Sequence, residues 1–191
     1  EDLTGGEVHS QIDGCPIPQA EYAVKALAEH HAAFWDSSRF SEDLAWVPRG
    51  WDPPMPQGVQ QGVADAWPIC QEMFGDRISD RIRKVCERFP SVTTELMQYP
   101  EAGTTLSHGD FRLDNLFFNG SELTVIDWQI CIRTRGAYDL GYFLSQSLTV
   151  EDRRAHEKSL IDLKKIYALK GYKKKYALEK IFMENKFQEL G

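Results

Sequence analysis

The residues best suited to chemistry lie between positions 107 and 128, where polar side chains stand at the ends of short apolar runs. Asp110 closes a His-Gly-Asp tripeptide, Asn115 follows five residues later, and Asp127 ends the next apolar run. Magnesium prefers hard oxygen ligands such as carboxylate and amide groups, and a carboxylate that binds no metal can accept a proton from a hydroxyl. The pattern therefore predicts that Asn115 and Asp127 hold magnesium and that Asp110 acts on a substrate hydroxyl.

A β-hairpin is predicted to bring the two metal ligands together. Residues 115–118 and 123–126 are apolar runs, and the Asn-Gly dipeptide between them is a strong signal for a tight hairpin turn. A hairpin places the start of its first strand beside the end of its second. Asn115 and Asp127 should therefore lie at the same end of the ladder.

Helices are predicted before this hairpin. Apolar residues recur at helical spacing from 19 to 35, and two more helices are expected at 59–74 and 76–89. Pro90 should end the last of these, because proline cannot donate the next helical hydrogen bond. Residues 36–57 contain four prolines and two tryptophans, so regular structure is not expected there.

The segments that flank the hairpin are a short strand at 104–107 and a buried helix at 137–147. Asp139 lies near the start of that helix, where a carboxylate suits the helix dipole.

From position 151 the chain becomes basic, with 11 lysines and arginines against 7 acidic residues. We expect a core over residues 1–150 and closing helices over 151–191, with a helix stop at Gly171. The change in composition is also compatible with a junction or a variable segment.

The spacing of the polar residues matches a known catalytic loop. Protein kinases carry H-R-D-x-x-x-x-N, in which the Asp is the catalytic base, and a metal-binding Asp follows it. His108, Asp110 and Asn115 keep this spacing, and Asp127 stands where the second motif is expected.

Further residues point to the small-molecule branch of this superfamily. With Gly109 in place of the kinase arginine, with Ile-Asp-Trp at 126–128 and with Tyr-Asp-Leu-Gly-Tyr-Phe at 138–143, the chain resembles the aminoglycoside phosphotransferases and choline kinases. The resemblance implies a protein-kinase-like fold, α+β and mostly helical. It also implies ATP as the phosphate donor, Mg²⁺ as the metal and a small molecule with a hydroxyl group as the acceptor.

The same resemblance implies roles for individual residues and indicates that the amino-terminal lobe is not in this sequence. Asp110 would be the catalytic base, Asn115 and Asp127 would bind the magnesium nucleotide, and Asp139 would brace the catalytic loop. The sequence contains neither the glycine-rich G-x-G-x-x-G loop nor a V-A-I-K-like strand. We therefore expect a carboxy-terminal lobe without the amino-terminal nucleotide lobe, and an isolated chain that is inactive.

Two other functions remain open at this stage. A lobe without its nucleotide-covering partner could be a non-catalytic binding module. A second possibility is a hydrolase whose transition metal is bound by four side chains of this region: His108, Asp110, Asp114 and Asp127.

Some charged residues also allow two interpretations. Arg112, Arg133 and Arg135 could contact phosphate or substrate, or form ordinary surface salt bridges. His30 and His31 are adjacent on a helix and point about 100° apart, so they are not expected to share a metal ion.

Composition excludes several classes of protein. A net charge of −7 argues against general nucleic-acid binding, which needs a basic surface. The four cysteines show no metal-binding spacing, and no apolar run reaches the roughly 20 residues of a membrane span. With no visible signal peptide, we expect a cytoplasmic protein. The sequence leaves the acceptor's identity and the oligomeric state open.

Overall fold

A computed structural model of the chain describes residues 3, 5–98 and 103–188, with side chains except those of residues 170 and 172–188. The chain divides into one unit formed by residues 1–47 and 103–191 and another formed by residues 48–102. The first unit contains the helices α1 (Ile17–Phe34), α4 (Ala137–Gln146) and α5 (Val150–Gln188) and the strands β1 (Thr105–Ser107), β2 (Leu116–Asn119), β3 (Glu122–Val125) and β4 (Ile132–Thr134). The second contains α2 (Met55–Phe74) and α3 (Asp80–Leu96). This confirms the predicted α+β, mostly helical class.

The hairpin forms where it was predicted. β2 and β3 are antiparallel, with Leu116 opposite Val125 and Asn119 opposite Glu122. Beyond the last strand pair, the Ile126 amide donates to the Asn115 carbonyl at 3.0 Å. This hydrogen bond brings the backbones before β2 and after β3 together, so the prediction that Asn115 and Asp127 flank the same end of the ladder is confirmed.

The core of the first unit lies between its helices and residues 111–118. α1 contributes a stripe of small and aliphatic residues, and the segment around the hairpin contributes larger side chains. The fully or almost fully buried members include Ala20, Ala23, Val24, Leu27, Phe111, Leu113, Leu116, Phe143 and Leu160. Burial is the main stabilising contribution to a core, and the valine, leucine and phenylalanine side chains of this set contribute about 1.5–3 kcal/mol each.

The predicted helix stop at Gly171 is wrong, because α5 runs without interruption from Val150 to Gln188. A Cβ at Gly171 would lie 2.6 Å from the Cβ of Ala32. Glycine is therefore used here for the close approach of α1 and α5 rather than to end a helix. The sequence pattern of a glycine after a helical run does not distinguish these two uses.

Two further boundaries in the second unit differ from the predictions. α3 continues through Pro90 to Leu96, so the predicted end at Pro90 is wrong. A proline removes one N–H donor. In the turn after Pro90 the helix gains the burial of Thr93, whose hydroxyl donates to the Phe89 carbonyl at 2.7 Å. α2 begins at Met55 with Pro56 in its first turn, where a proline costs no hydrogen bond, so the last residues of the predicted irregular segment are helical.

The structure also bears on the expected absence of a membrane span. Within the described residues, no helix combines the length and the apolarity that crossing a bilayer requires.

Candidate active site

Gly109 determines the shape of the catalytic loop, by which we mean residues 107–115. Its φ angle is 90°, a conformation that side chains rarely adopt. A Cβ at this position would also collide with the carbonyl oxygen of Ile130. Gly109 stands where protein kinases have an arginine, and the backbone conformation at this position requires a glycine.

The buried carboxylate of Asp139 holds this loop from the core side. One carboxylate oxygen accepts the His108 amide at 2.9 Å, and the other accepts the Gly109 amide at 3.0 Å. Asp139 is completely buried near the start of α4. Burial raises the pKa of this carboxyl, but the hydrogen bond from His31 and the two amides outweigh burial and leave the pKa below its usual value. A buried anion thus anchors two consecutive amides of the loop.

His108 connects the loop to the end of the hairpin. Its Nε2 lies 2.8 Å from the Ile126 carbonyl, and its Nδ1 accepts the Asp110 amide at 3.2 Å. These partners assign a neutral imidazole with its proton on Nε2. Its ring packs edge-on against Trp128, with the centroids 4.6 Å apart.

The hydrolase alternative is not supported by this arrangement. Both nitrogens of His108 already have protein partners. Within the part of the chain that the structure describes, no group of three or more His, Cys, Asp or Glu residues could hold a metal ion. The four ligands proposed for a transition metal therefore do not form a metal centre.

Asp110 presents its carboxylate at the partly exposed face of the loop. Oδ1 accepts the Tyr142 hydroxyl at 2.8 Å, and Oδ2 accepts Nε of Arg112 at 3.1 Å and Nδ2 of Asn115 at 3.2 Å. Burial raises the pKa of this carboxyl, but the hydrogen bond from Tyr142, the charge of Arg112 and the amide of Asn115 lower it below its usual value. Asp110 is therefore an oriented, ionised carboxylate, as a base that accepts a proton requires.

Asn115 and Asp127 offer oxygen atoms that suit magnesium. Nδ2 of Asn115 donates to the Asp110 carbonyl at 2.9 Å as well as to its carboxylate, so Oδ1 is the atom of this amide that can face a cation. Asp127 is exposed, and its φ angle of 64° is unusual for a residue with a side chain. Such backbone strain is typical of functional sites. One amide oxygen and one carboxylate at the same end of a hairpin match the donor set that magnesium prefers.

Two of the arginines singled out in the sequence, Arg112 and Arg133, make different kinds of contact. Arg112 bridges two carboxylates of the loop, with Nε 3.1 Å from Asp110 and NH1 3.1 Å from Asp114. Arg133 donates to the Thr104 hydroxyl at 3.0 Å and lies over the ring of Phe40. Arg112 is thus the arginine that touches the candidate catalytic carboxylate.

Tyr142 is a site residue that sequence reasoning missed. It lies three residues after Asp139 on α4, so both project from the same side of the helix. Asp139 reaches the amides beneath the loop, while the hydroxyl of Tyr142 reaches the carboxylate of Asp110. The helical spacing within Tyr-Asp-Leu-Gly-Tyr-Phe was the signal that could have identified it.

His31 is a second missed residue, and it joins the site from α1. Its Nε2 lies 2.9 Å from Oδ2 of Asp139. The neighbouring His30 instead contacts the Leu106 carbonyl at 2.9 Å. That the two histidines share no metal ion stays a prediction. No local pattern indicated that His31 would meet a residue 108 positions away.

Comparison with protein families identifies a match. The profile of the ecdysteroid kinase-like family matches residues 54–168, which is more than half of the chain and includes the whole catalytic loop. Neither the curated proteins nor the solved structures gave a match. This family is a kinase-like group of phosphotransferases that act on small molecules. The narrower likeness to aminoglycoside phosphotransferases and choline kinases stays a prediction.

Proposed function

The chain belongs to the ecdysteroid kinase-like family, and from that premise we propose that it serves in ATP-dependent phosphate transfer to a hydroxyl group of a small molecule. In this proposal Asp110 is the catalytic base, and Asn115 and Asp127 bind the Mg²⁺ that accompanies the nucleotide. The observation that carries it is the geometry of Asp110, whose carboxylate is oriented by Tyr142 and Asn115 and whose loop is anchored by a buried anion.

The reaction needs a proton acceptor beside the attacking oxygen. As the acceptor oxygen bonds to the γ-phosphorus, its proton passes to an Asp110 carboxylate oxygen, and the bond between the γ-phosphorus and the β,γ-bridging oxygen breaks to release ADP. Positioning and charge neutralisation supply most of the catalysis in this chemistry. Asp110 suits the task because three neighbours fix the orientation of its carboxylate and keep it ionised.

Charge on the phosphates would be neutralised by metal and by protein. When bound, Mg²⁺ supplies electrostatic stabilisation of the phosphate oxygens. Asn115 orients its oxygen for this purpose through the two hydrogen bonds that its nitrogen donates to Asp110. Arg112 is the protein cation nearest to the base, and in the proposal it exchanges a carboxylate partner for a phosphate oxygen.

The family name and two aromatic residues indicate the acceptor class. Trp128 packs on His108 and is 36% exposed, while Tyr138 stacks on Tyr142 and is 48% exposed. Both rings thus adjoin residues that contact Asp110 and present part of their surface to solvent. We propose a hydroxylated, largely apolar ring compound as the acceptor, with ecdysteroids as the first class to test.

The proposal is tested with the protein as its gene encodes it. Radiolabelled γ-phosphate should be transferred from magnesium ATP to an ecdysteroid, and a non-hydroxylated steroid of the same skeleton should remain unlabelled. Transfer to a cationic alcohol such as choline, or to an aminoglycoside alone, would keep the phosphotransferase and reject the acceptor class. Saturable binding of these compounds with no transfer to any of them would reject the enzyme and favour the non-catalytic binding module.

A further inference from the structure

Lys164 is a buried cation that the proposed chemistry does not use. It lies on α5 and is only 9% exposed, although lysine is almost never buried without a partner. Its ammonium group donates to the Gly136 carbonyl, directly before α4, and lies 3.0 Å from Nδ1 of His31. These contacts place a positive charge from the carboxy-terminal helix next to the residue that holds Asp139.

The direction of the hydrogen bonds follows from the chemistry of the groups. An ammonium group can only donate, so Nδ1 of His31 must accept from Lys164. The proton of the neutral ring then lies on Nε2, which donates to Oδ2 of Asp139 at 2.9 Å. Asp139 in turn accepts the amides of His108 and Gly109. A continuous chain of hydrogen bonds thus links α5 to the catalytic loop, and the Asp139 carboxylate accepts from His31 on one side and from the loop amides on the other.

The charges of this chain balance. Burial lowers the pKa of His31 to about 4, so its imidazole is neutral at physiological pH. Burial also lowers the pKa of Lys164 to about 8, with the charge of Asp139 acting against this effect. One cation and one anion therefore face each other across a neutral ring, which avoids an uncompensated buried charge.

Local packing is built around this chain. A Cβ at Gly136 would lie 2.8 Å from Nδ1 of His31, so a larger residue would displace the ring. Leu160, one helical turn before Lys164, is 1% exposed in the core, and Gly171 lets α5 approach α1 closely. The register of α5, and with it the position of the ammonium group, is thereby fixed on both sides of Lys164.

We propose that Lys164 and His31 are positioning residues, which orient Asp139 toward the amides of His108 and Gly109 and so place Asp110 for proton transfer. The placement of Asp110 rests on the proposed function, whereas the orientation of the loop amides does not. The basic carboxy-terminal segment then has a role in the site, since it contributes the cation that completes the brace.

A pair of adjacent lysines provides the test. Lys164→Met removes the buried cation and keeps much of its volume, whereas Lys165→Met removes a neighbour whose side chain is 69% exposed and paired with Asp162. Lys164→Met should move the amide proton resonances of His108 and Gly109 upfield and lower kcat roughly 10- to 100-fold, since small misplacements of a reacting group have large effects. The KM for ATP should stay within about twofold, because nucleotide binding is not the step affected. Lys165→Met should change none of these quantities.

Variants at His31 separate positioning from simple loss of packing. His31→Gln keeps an N–H that can reach Asp139, while His31→Leu has none, so only the glutamine variant should retain part of kcat and of the downfield Gly109 resonance. The wild-type protein gives an independent measurement, because ¹⁵N spectra should show His31 as the neutral Nε2–H tautomer at pH 7. An Nδ1–H tautomer, or a folded Lys164→Met variant with unchanged amide resonances, would overturn the proposal.

The two proposals fail in different ways. If the wild-type protein transfers no phosphate but the amide resonances respond to Lys164→Met as expected, the proposed function is rejected and the positioning role of Lys164 and His31 is retained. If phosphate is transferred and Lys164→Met changes neither the amide proton resonances nor kcat, the positioning role is rejected and the proposed function is retained. If Lys164→Met does not fold, the tautomer of His31 in the wild-type protein decides the question.

Discussion

Two carboxylates of the site, Asp139 and Asp127, have opposite surroundings. Asp139 is fully buried and accepts hydrogen bonds from His31 and from two loop amides. Asp127 is exposed, and its Oδ2 accepts a long hydrogen bond of 3.5 Å from Nε2 of Gln129. The comparison shows that the catalytic loop is held from the core side, whereas the carboxylate that follows the hairpin is open to solvent. Rigid support beneath an open reacting surface is what preorganised catalysis requires.

Replacing each carboxylate by its amide should give the largest difference in stability between the two positions. Asp139→Asn should lower the free energy of unfolding by about 3–5 kcal/mol, because it leaves the buried Lys164 cation without its counter-charge. Asp127→Asn should change it by less than about 0.5 kcal/mol, since the residue is exposed and asparagine tolerates its positive φ angle. Urea unfolding of both variants measures the difference. Equal stabilities would show that the buried anion is not a structural brace.

Acid should lower the free energy of unfolding through the buried residues around Asp139. The pKa of His31 falls from 6.5 to about 4 on folding, so between these values the unfolded chain binds a proton that the folded chain does not. The free energy of unfolding should therefore drop by about 3 kcal/mol as the pH falls from 6.5 to 4, and the lowered pKa of Asp139 adds to the loss at still lower pH.

Urea unfolding across this pH range tests the assignment. His31 faces Asp139, Lys164 and His30, so its replacement removes the group on which these charges act. His31→Gln should flatten the pH dependence. The same slope in wild type and His31→Gln would assign the acid sensitivity to another group.

The loop glycine offers a smaller and more local perturbation. Gly109→Ala should destabilise the protein by about 2–3 kcal/mol, because it combines a positive φ angle with a collision against the Ile130 carbonyl. Gly120→Ala in the hairpin turn shares the positive φ angle but has open space around it, and should cost about 1 kcal/mol. Thermal unfolding of the two variants separates backbone strain from collision. Similar losses would mean that the loop adjusts to a side chain at Gly109.

On the open side, the expected effect concerns ligand binding rather than folding. Asp127→Ala should weaken binding of magnesium nucleotide about tenfold, as expected for the loss of one charged partner. Removing Mg²⁺ with a chelator should abolish the difference between variant and wild type. Calorimetric titration with and without Mg²⁺ provides both values, and an unaltered affinity in the presence of Mg²⁺ would reject Asp127 as a metal ligand.

What the sequence predicted well was local. The hairpin depends on two apolar runs and an Asn-Gly turn, which lie within a few positions of each other. The spacing of the catalytic loop belongs to the same class of signal. The brace by Asp139 joins residues 30 positions apart, and it was the family resemblance that implied it.

What the sequence did not predict depends on contacts between distant residues. His31 and Lys164 lie 133 positions apart, and only the packing of α1 against α5 brings them together. The helix boundaries expected at Pro90 and Gly171 were wrong for the same reason, since burial or a close helix contact decided the outcome there. Local propensity is a weak guide wherever tertiary packing competes with it.

The most direct test of the central claim is phosphate transfer by Asp110→Asn compared with Asp114→Asn, under magnesium ATP and a hydroxylated acceptor. Both residues contact Arg112, but the proposal assigns proton transfer to Asp110 and not to Asp114. Asp110→Asn should lower kcat by about 100- to 10,000-fold while nucleotide binding is retained, and Asp114→Asn should stay within about threefold of wild type. Transfer by Asp110→Asn at the wild-type rate would contradict the assignment of Asp110 as the catalytic base.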